Sequence, residues 1–155
     1  MYKILTLLIV IRLQWGSAQN ESHLNNIKQL TYGGDNAEAY FSSDGKKLVF
    51  RASRPLTPED KKEYKDLLKQ GYVAPTKMEI FTCNVDGSDM KQITHLGKAN
   101  WAPCYTPGGK IIFSSNAKSD KGFNFQLYTI NTDGSGLEQI TYSSIFNSFP
   151  MFSPD

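Results

Sequence analysis

Residues Ala37 to Phe50 read AEAYFSSDGKKLVF, and shortened copies return at Trp101 to Phe113 (WAPCYTPGGKIIF) and at Phe149 to Asp155 (FPMFSPD). A segment that recurs along a chain signals a repeat architecture, and this repeat decides the fold class before any single residue does. In the first copy an apolar run ends at Phe41, Ser42-Ser43-Asp44-Gly45 follows, and Leu48-Val49-Phe50 resumes. Asp-Gly is hairpin-turn chemistry, and β-branched and aromatic residues on both sides favour strands, so the unit reads as an antiparallel hairpin. The second copy turns at Pro107-Gly108-Gly109. The third stops at Pro154-Asp155, where a glycine is the expected next residue, so the sequence reads as ending inside a turn.

Two more strands follow each complete hairpin. They are expected over Met78 to Val85 and Lys91 to Thr94, then over Gln126 to Asn131 and Glu138 to Tyr142, with Asp86-Gly87-Ser88-Asp89 and Asp133-Gly134-Ser135-Gly136 as the turns between. Four short antiparallel strands per unit make the blade of a β-propeller, an all-β fold. Thr31, Thr94 and Thr141 hold matching places, at intervals of 63 and 47 residues, against roughly 40–50 per blade in known propeller repeats. The first blade therefore carries an insertion. The expected organisation is blade 1 over about 36–95 with an insertion at 54–77, blade 2 over about 99–142, and the start of a third blade over 147–155. Lys28 to Thr31 reads as an outer strand without its blade, and Phe149 to Ser153 as an inner strand without partners. Two full blades fall short of the four to eight that close a ring, so the propeller is expected to be incomplete, a fragment or truncated product with open edges prone to self-association.

The residues resemble a known family. Leu30-Thr31, Ile93-Thr94 and Ile140-Thr141, then Phe41-Ser42-Ser43-Asp44-Gly45 and Phe152-Ser153-Pro154-Asp155, then Asn84-Val85-Asp86-Gly87-Ser88 and Asn131-Thr132-Asp133-Gly134-Ser135, follow one order. That order is similar to the WD-like propeller repeat of the TolB family, over about Ile27 to Asp155. Ser43 stands where the motif has proline, and Thr106-Pro107-Gly108-Gly109 lacks the aspartate. The resemblance implies a periplasmic scaffold that presents its channel mouth and blade loops to proteins of the cell envelope. TolB proper also carries an N-terminal α/β domain, which is not expected here because only residues 19–26 stand between the export signal and the first propeller strand.

The N-terminus fits an export signal: Lys3, the apolar core Ile4 to Ile11, then Gly16-Ser17-Ala18 with cleavage expected after Ala18. The core is too short to span a bilayer, so no membrane-spanning segment is expected after cleavage. Residues 19–26 form a lead-in. The chain has 17 basic and 15 acidic residues, and removal of Lys3 and Arg12 with the signal balances the two. A neutral chain without a basic stripe speaks against nucleic acid as a partner.

Within the insertion, Thr57 and Pro58 read as N-cap and first helical residue, Glu59 and Asp60 suit the positive helix start, and Gly71 is the stop. Tyr64, Leu67 and Leu68 form one narrow apolar stripe, so the helix is expected to lie on the propeller. It either lines a binding face or merely covers a blade edge.

No catalytic constellation, cofactor motif or metal site is expected. The two Asn-x-Asp-Gly-Ser turns resemble the start of a calcium loop, but their twelfth positions are His95 and Tyr142 instead of an acid. His23 and His95 stand apart, no Gly-x-Ser-x-Gly elbow occurs, and every glycine cluster is a turn. Cys83 and Cys104 lie within apolar runs and read as two buried free thiols, with a disulfide between them as the alternative in an exported chain. Most aromatic residues are expected between blades, with Trp101 and Phe149 in corresponding places near the channel. Asn36, Glu38, Asn100, Trp101, Asn147 and Phe149, just before or at the starts of the inner strands, are the candidate partner-binding residues. Non-catalytic binding in the bacterial envelope is the leading expectation. The substrate-gating propeller of a prolyl-oligopeptidase-type serine peptidase and a nonfunctional remnant stand as alternatives.

Overall fold

The computed structural model describes residues 25–73 and 76–153. The export signal, His23 and most of the lead-in lie outside the described residues. Eight strands and one helix follow in the order β1 Asn36–Phe41, β2 Lys47–Ala52, α1 Pro58–Lys69, β3 Glu79–Asn84, β4 Lys91–Gln92, β5 Asn100–Tyr105, β6 Ile111–Ser115, β7 Gln126–Ile130 and β8 Glu138–Gln139. They form two four-stranded sheets, β1-β2-β3-β4 and β5-β6-β7-β8, in which all neighbours are antiparallel. Each sheet is a meander, the blade that the repeat predicts. The outer strands β4 and β8 have two residues each, shorter than expected. Beyond them, Thr94 and Thr141 turn their hydroxyls onto the neighbouring strand, accepting from Ile80 N and Leu127 N at 2.8 Å.

The hairpin turns differ by one residue. Gly45 N donates to Ser42 O at 2.9 Å, and Ser42 N donates to Lys47 O. In the second blade Gly109 N donates to Thr106 O, but Thr106 N reaches Lys110 O, one position sooner. Only the glycine of Asp44-Gly45 has a positive φ, +68°, so a single left-handed residue closes the turn.

Strand alternation sends neighbouring side chains to opposite sheet faces. Val49, Ile80 and Ile93 on one face of blade 1 meet Ile111, Phe113, Tyr128 and Ile130 of blade 2 in one buried cluster. Leu48, Phe50, Ala52, Phe81 and Cys83 on the other face of blade 1 form a second cluster, covered by Leu30. Because both faces of blade 1 pack, β2 and β3 read as apolar runs without polar alternation. The cross-strand pair Phe50–Phe81, with ring centroids 5.8 Å apart, recurs as Phe113–Tyr128 at 5.9 Å. Two blades thus share one packing unit.

The same correspondence explains the segment before β1. A Cβ at Gly87 would meet the Leu30 side chain at 3.3 Å, and one at Gly134 would meet Ile93 O at 3.1 Å. Leu30 therefore sits on blade 1 as Ile93 sits on blade 2. Lys28 to Thr31 forms no ladder, so the expected strand is present as a position without pairing. Phe149 to Ser153 likewise carries no strand, although Cys104 Sγ lies 3.3 Å from Pro150 O.

Helix α1 begins on a full capping box: Thr57 Oγ1 accepts from Asp60 N, and Asp60 accepts from Thr57 N, both at 3.1 Å. Gly71, at φ +79°, stops it. The inward stripe differs from the expected one. Leu68 is exposed, and Asp60, Tyr64, Asp66 and Leu67 are the half-buried positions. Aromatic burial also departs from expectation. Phe113, Phe125 and Tyr128 are sealed, whereas Phe41, Phe123, Phe146, Phe149 and Phe152 are exposed, on surfaces that neither blade covers.

Candidate functional site

The inner strands each start on the same corner. Asn36-Ala37-Glu38, Asn100-Trp101-Ala102 and Asn147-Ser148-Phe149 carry an asparagine two residues before a non-glycine residue in the left-handed region, with φ of +55° at Glu38, +48° at Ala102 and +54° at Phe149. In the first two copies a β-bulge follows from this, because the register of the inner pair shifts between Ala37 and Tyr40 and between Trp101 and Cys104. This corrects the correspondence drawn from aromatic character. Phe149 matches Ala102 and Glu38, and Trp101 matches Ala37 and Ser148. The three asparagines were the signal that would have fixed the frame.

A second repeated device sits behind the corner. Glu79, buried at the start of β3, accepts from the Thr94 hydroxyl, Gly97 N (2.7 Å), Leu96 N (3.2 Å) and Asn100 Nδ2 (3.1 Å). Gln126 holds the matching place in blade 2 and accepts from Ser143 N (3.2 Å) and Asn147 Nδ2 (3.3 Å). The corner asparagines of the second and third copies, Asn100 and Asn147, are thereby fastened to the third strand of the preceding blade. Four donors satisfy a carboxylate that would otherwise be costly to bury.

The candidate residues divide accordingly. Asn100 is fully buried in this fastening, also donating to Met78 O at 2.7 Å, and offers no surface of its own. Asn147 is half-buried in the equivalent role. Asn36 is exposed and donates to Gly33 O. Glu38 is half-buried between blades: its Oε2 lies 2.9 Å from Arg51 Nε and accepts from Ala102 N at 2.8 Å. Trp101 is half-buried, stacked flat on Phe125, and its Nε1 donates to Ser148 Oγ at 3.0 Å. Phe149 is exposed. Neighbouring Ile145 and Phe146, which are not among the candidate partner-binding residues, are exposed too.

No family model matches the sequence, and no curated protein matches it. Solved structures do. A chain described as a TolB from Agrobacterium tumefaciens superposes with a TM-score of 0.59 at 24% identity, over 81% of this chain and 37% of that one. TolB from Acinetobacter baumannii follows with 0.52 at 24% identity, over 77% of this chain and 24% of that one. The fold is that of a TolB-like β-propeller, here incomplete. A puromycin hydrolase also matches, with a TM-score of 0.48 at 16% identity over 70% of this chain and 14% of that one, too distant to bear on activity. The chain spans 37% and 24% of the lengths of the two TolB structures it matches.

On this TolB-like frame the Asn-x-Asp-Gly-Ser segments are turns. Gly87 N donates to Asn84 O, and Asp86 Oδ1 accepts from Ser88 N and Ser88 Oγ; Asp133 and Ser135 repeat the pattern. The serine bonds hold both aspartates below the usual carboxylate range. Those oxygens are engaged within the turn, and among the described residues no group of His, Cys, Asp and Glu is placed to hold a metal ion. His95 is exposed, its Nδ1 3.1 Å from Gln92 Nε2. Cys83 and Cys104 are free thiols, Cys83 buried and Cys104 half-buried, and burial pushes both up.

Proposed function

We propose that this chain belongs to an exported, non-catalytic propeller scaffold that binds protein partners in the bacterial cell envelope through the face on which the inner strands begin. The supporting observation is the corner itself. One backbone geometry is repeated three times, while the side chains at and beside its left-handed residue differ: Ala37 and the carboxylate of Glu38 in the first copy, the indole of Trp101 and Ala102 in the second, Ser148 and the phenyl ring of Phe149 in the third. A fixed frame carrying unlike side chains is how repeat folds build recognition surfaces. Asn36, Glu38, Trp101, Asn147 and Phe149 form that face, with Asn100 bracing it from beneath.

Envelope location rests on the export signal read at Met1 to Ala18 and on the TolB-like fold. Among the described residues no helix is long and apolar enough to cross a membrane. The reading is tested by site-specific photo-crosslinking in a Gram-negative envelope, with the probe at position 149 or at position 65 on α1. Protein adducts confined to position 149 are expected. Equal labelling from both positions, or none from 149, would sink the proposal.

A further inference from the structure

The insertion does not lie flat on blade 1. Asp60, Tyr64 and Leu67 turn inward at helical spacing yet stay half-exposed, because a cavity of about 270 Å³ lies beneath them. Its walls come from the insertion, from Asp35 and Ser53 at the edge of blade 1, and from Lys98 and Asn116 at the seam with blade 2. The roof is tied to blade 2: Val73 N donates to Lys121 O at 2.8 Å, and Lys121 Nζ donates to Gln70 O at 3.4 Å. Gly122 lies against this tie so closely that a Cβ there would fall 2.1 Å from Val73 O. The cavity is therefore a built space between three elements.

Its lining has a definite chemistry. Leu56, Leu67, Val73 and Met78 supply apolar wall, and Tyr64 and Tyr72 supply two aromatic rings. Three carboxylates, Asp35, Asp60 and Glu63, stand against two ammonium groups, Lys77 and Lys98. Asp60 is committed to Thr57 and to Lys77 Nζ at 3.1 Å. Glu63 has only Lys77 at 3.4 Å, and the Asp35 carboxylate only the Ser53 hydroxyl at 3.4 Å, among the described residues. Both keep acceptor capacity that their partners leave unused. The Thr76 hydroxyl, another lining group, is shut off from solvent and has no hydrogen-bond partner among the described residues.

Spare acceptors beside tyrosine rings and aliphatic wall suit a cation on a short alkyl stem. Carboxylates form charge-assisted bonds to its head group, aromatic faces attract the charge, and the stem lies on apolar surface. The volume falls just under the roughly 300–1,000 Å³ of pockets for drug-sized ligands, so one side-chain-sized group fits. We infer that the cavity under α1 binds an alkylguanidinium or alkylammonium group, the head of an arginine or lysine side chain, as a site separate from the strand-start face.

The test follows the methyl resonances of Leu67 and Met78 in the full chain during titration with n-butylguanidinium, with N-acetyl-arginine methylamide, and with butyrate as an anion of similar length. Saturable shifts with butylguanidinium and none with butyrate are expected. Glu63→Gln and Asp35→Asn should each weaken binding about 3- to 10-fold, the range of a charge-assisted bond moderated by solvent. Acceptance of the blocked arginine as well assigns the site to a partner's side chain; its rejection assigns the site to a free small cation. Absence of a saturable shift with butylguanidinium in the unsubstituted chain, or an equal response to butyrate, overturns the inference whatever the variants do.

Discussion

The indole of Trp101 lies on the ring of Phe125 with centroids 4.2 Å apart and planes within 5° of parallel. Phe146 leans on both rings, 6.4 Å from one and 5.1 Å from the other. The stack lies along the corner of blade 2, so the residue displayed there is also part of its support. Trp101→Ala should destabilise the fold by about 2–3 kcal/mol, the low end for a large aromatic truncation because Trp101 is only half-buried. Trp101→Phe, which keeps the stack and drops the bond to Ser148, should cost about 1 kcal/mol. Urea denaturation of the two variants checks the ratio, and equal losses would show that the hydrogen bond, and not the stack, carries the site.

Glu79 collects four donors at the seam between the blades; Asn100 Nδ2 also donates to Met78 O at 2.7 Å, whereas the Thr94 hydroxyl, Leu96 N and Gly97 N have no other acceptor among the described residues. Glu79→Ala should cost on the order of 3 kcal/mol, since stranded buried donors lose about 1–3 kcal/mol each and some of them regain water. Glu79→Gln copies the residue that blade 2 uses, but it points an amide N–H₂ at donors and should still cost about 1 kcal/mol or more. Thermal unfolding ranks the two. A Gln variant as weak as the Ala variant would mean that charge, more than acceptor count, matters here.

Gly122 and Gly45 have similar backbone angles, φ +79° and +68°, but different surroundings. Nothing lies within 4 Å of a Cβ at Gly45, whereas one at Gly122 collides with Val73 O. Gly45→Ala should cost only the left-handed penalty of about 1–2 kcal/mol. Gly122→Ala should cost more and should loosen the insertion, visible as faster hydrogen exchange at the Val73 amide. Protection at Val73 unchanged in Gly122→Ala would contradict the tie between α1 and blade 2.

Tyr105 has a buried hydroxyl without a partner among the described residues, and burial pushes its ionisation up to about 12 from an ordinary value of 10.0. The folded state favours the neutral phenol, so the stability linked to it is complete below pH 10 and is lost as pH rises toward 12. Tyr105→Phe should leave stability at neutral pH unchanged or raise it by about 1 kcal/mol, because an unsatisfied hydroxyl disappears. It should also flatten the alkaline limb of the stability curve. An alkaline limb identical in both proteins would assign that limb to other groups, Tyr128 first, which burial also raises.

Thiol reagents should find Cys104 well before Cys83, and both more slowly than a free thiol, since burial holds each above its ordinary value. Mass spectrometry after brief labelling of the native chain reads the order. Prior labelling of Cys83 would mean that the cover provided by Leu30 opens easily.

The blade was legible in the sequence because turn chemistry and apolar strands are local signals. Asp44-Gly45 and the two Asn-x-Asp-Gly-Ser turns placed most strand boundaries within a residue or two, although β4 and β8 came out shorter than expected. The helix caps were equally plain at Thr57, Pro58 and Gly71. What stayed hidden depends on neighbours distant in sequence. Leu68 turns outward because the space under α1 is shaped by Lys98, Asn116 and Gly122 of later connections. Asn100 looked like a surface residue because nothing near it in sequence announces Glu79. The corner escaped notice because Glu38, Ala102 and Phe149 share a backbone angle and no side-chain chemistry. The three asparagines that mark it read from sequence as displayed groups, whereas two of them are fasteners.

The carboxylate of Glu38 accepts the backbone N–H of Ala102, so a left-handed residue in one blade is steadied by the left-handed residue of the blade before it. Positive φ at a non-glycine residue costs of order 1 kcal/mol or more and persists where surroundings enforce it. The blades are consequently not interchangeable cassettes. Moving blade 2 behind a different neighbour would remove the acceptor that shapes its innermost edge, and a chimera that preserves every residue of β5 to β8 would still enter the ring with its first strand misdirected.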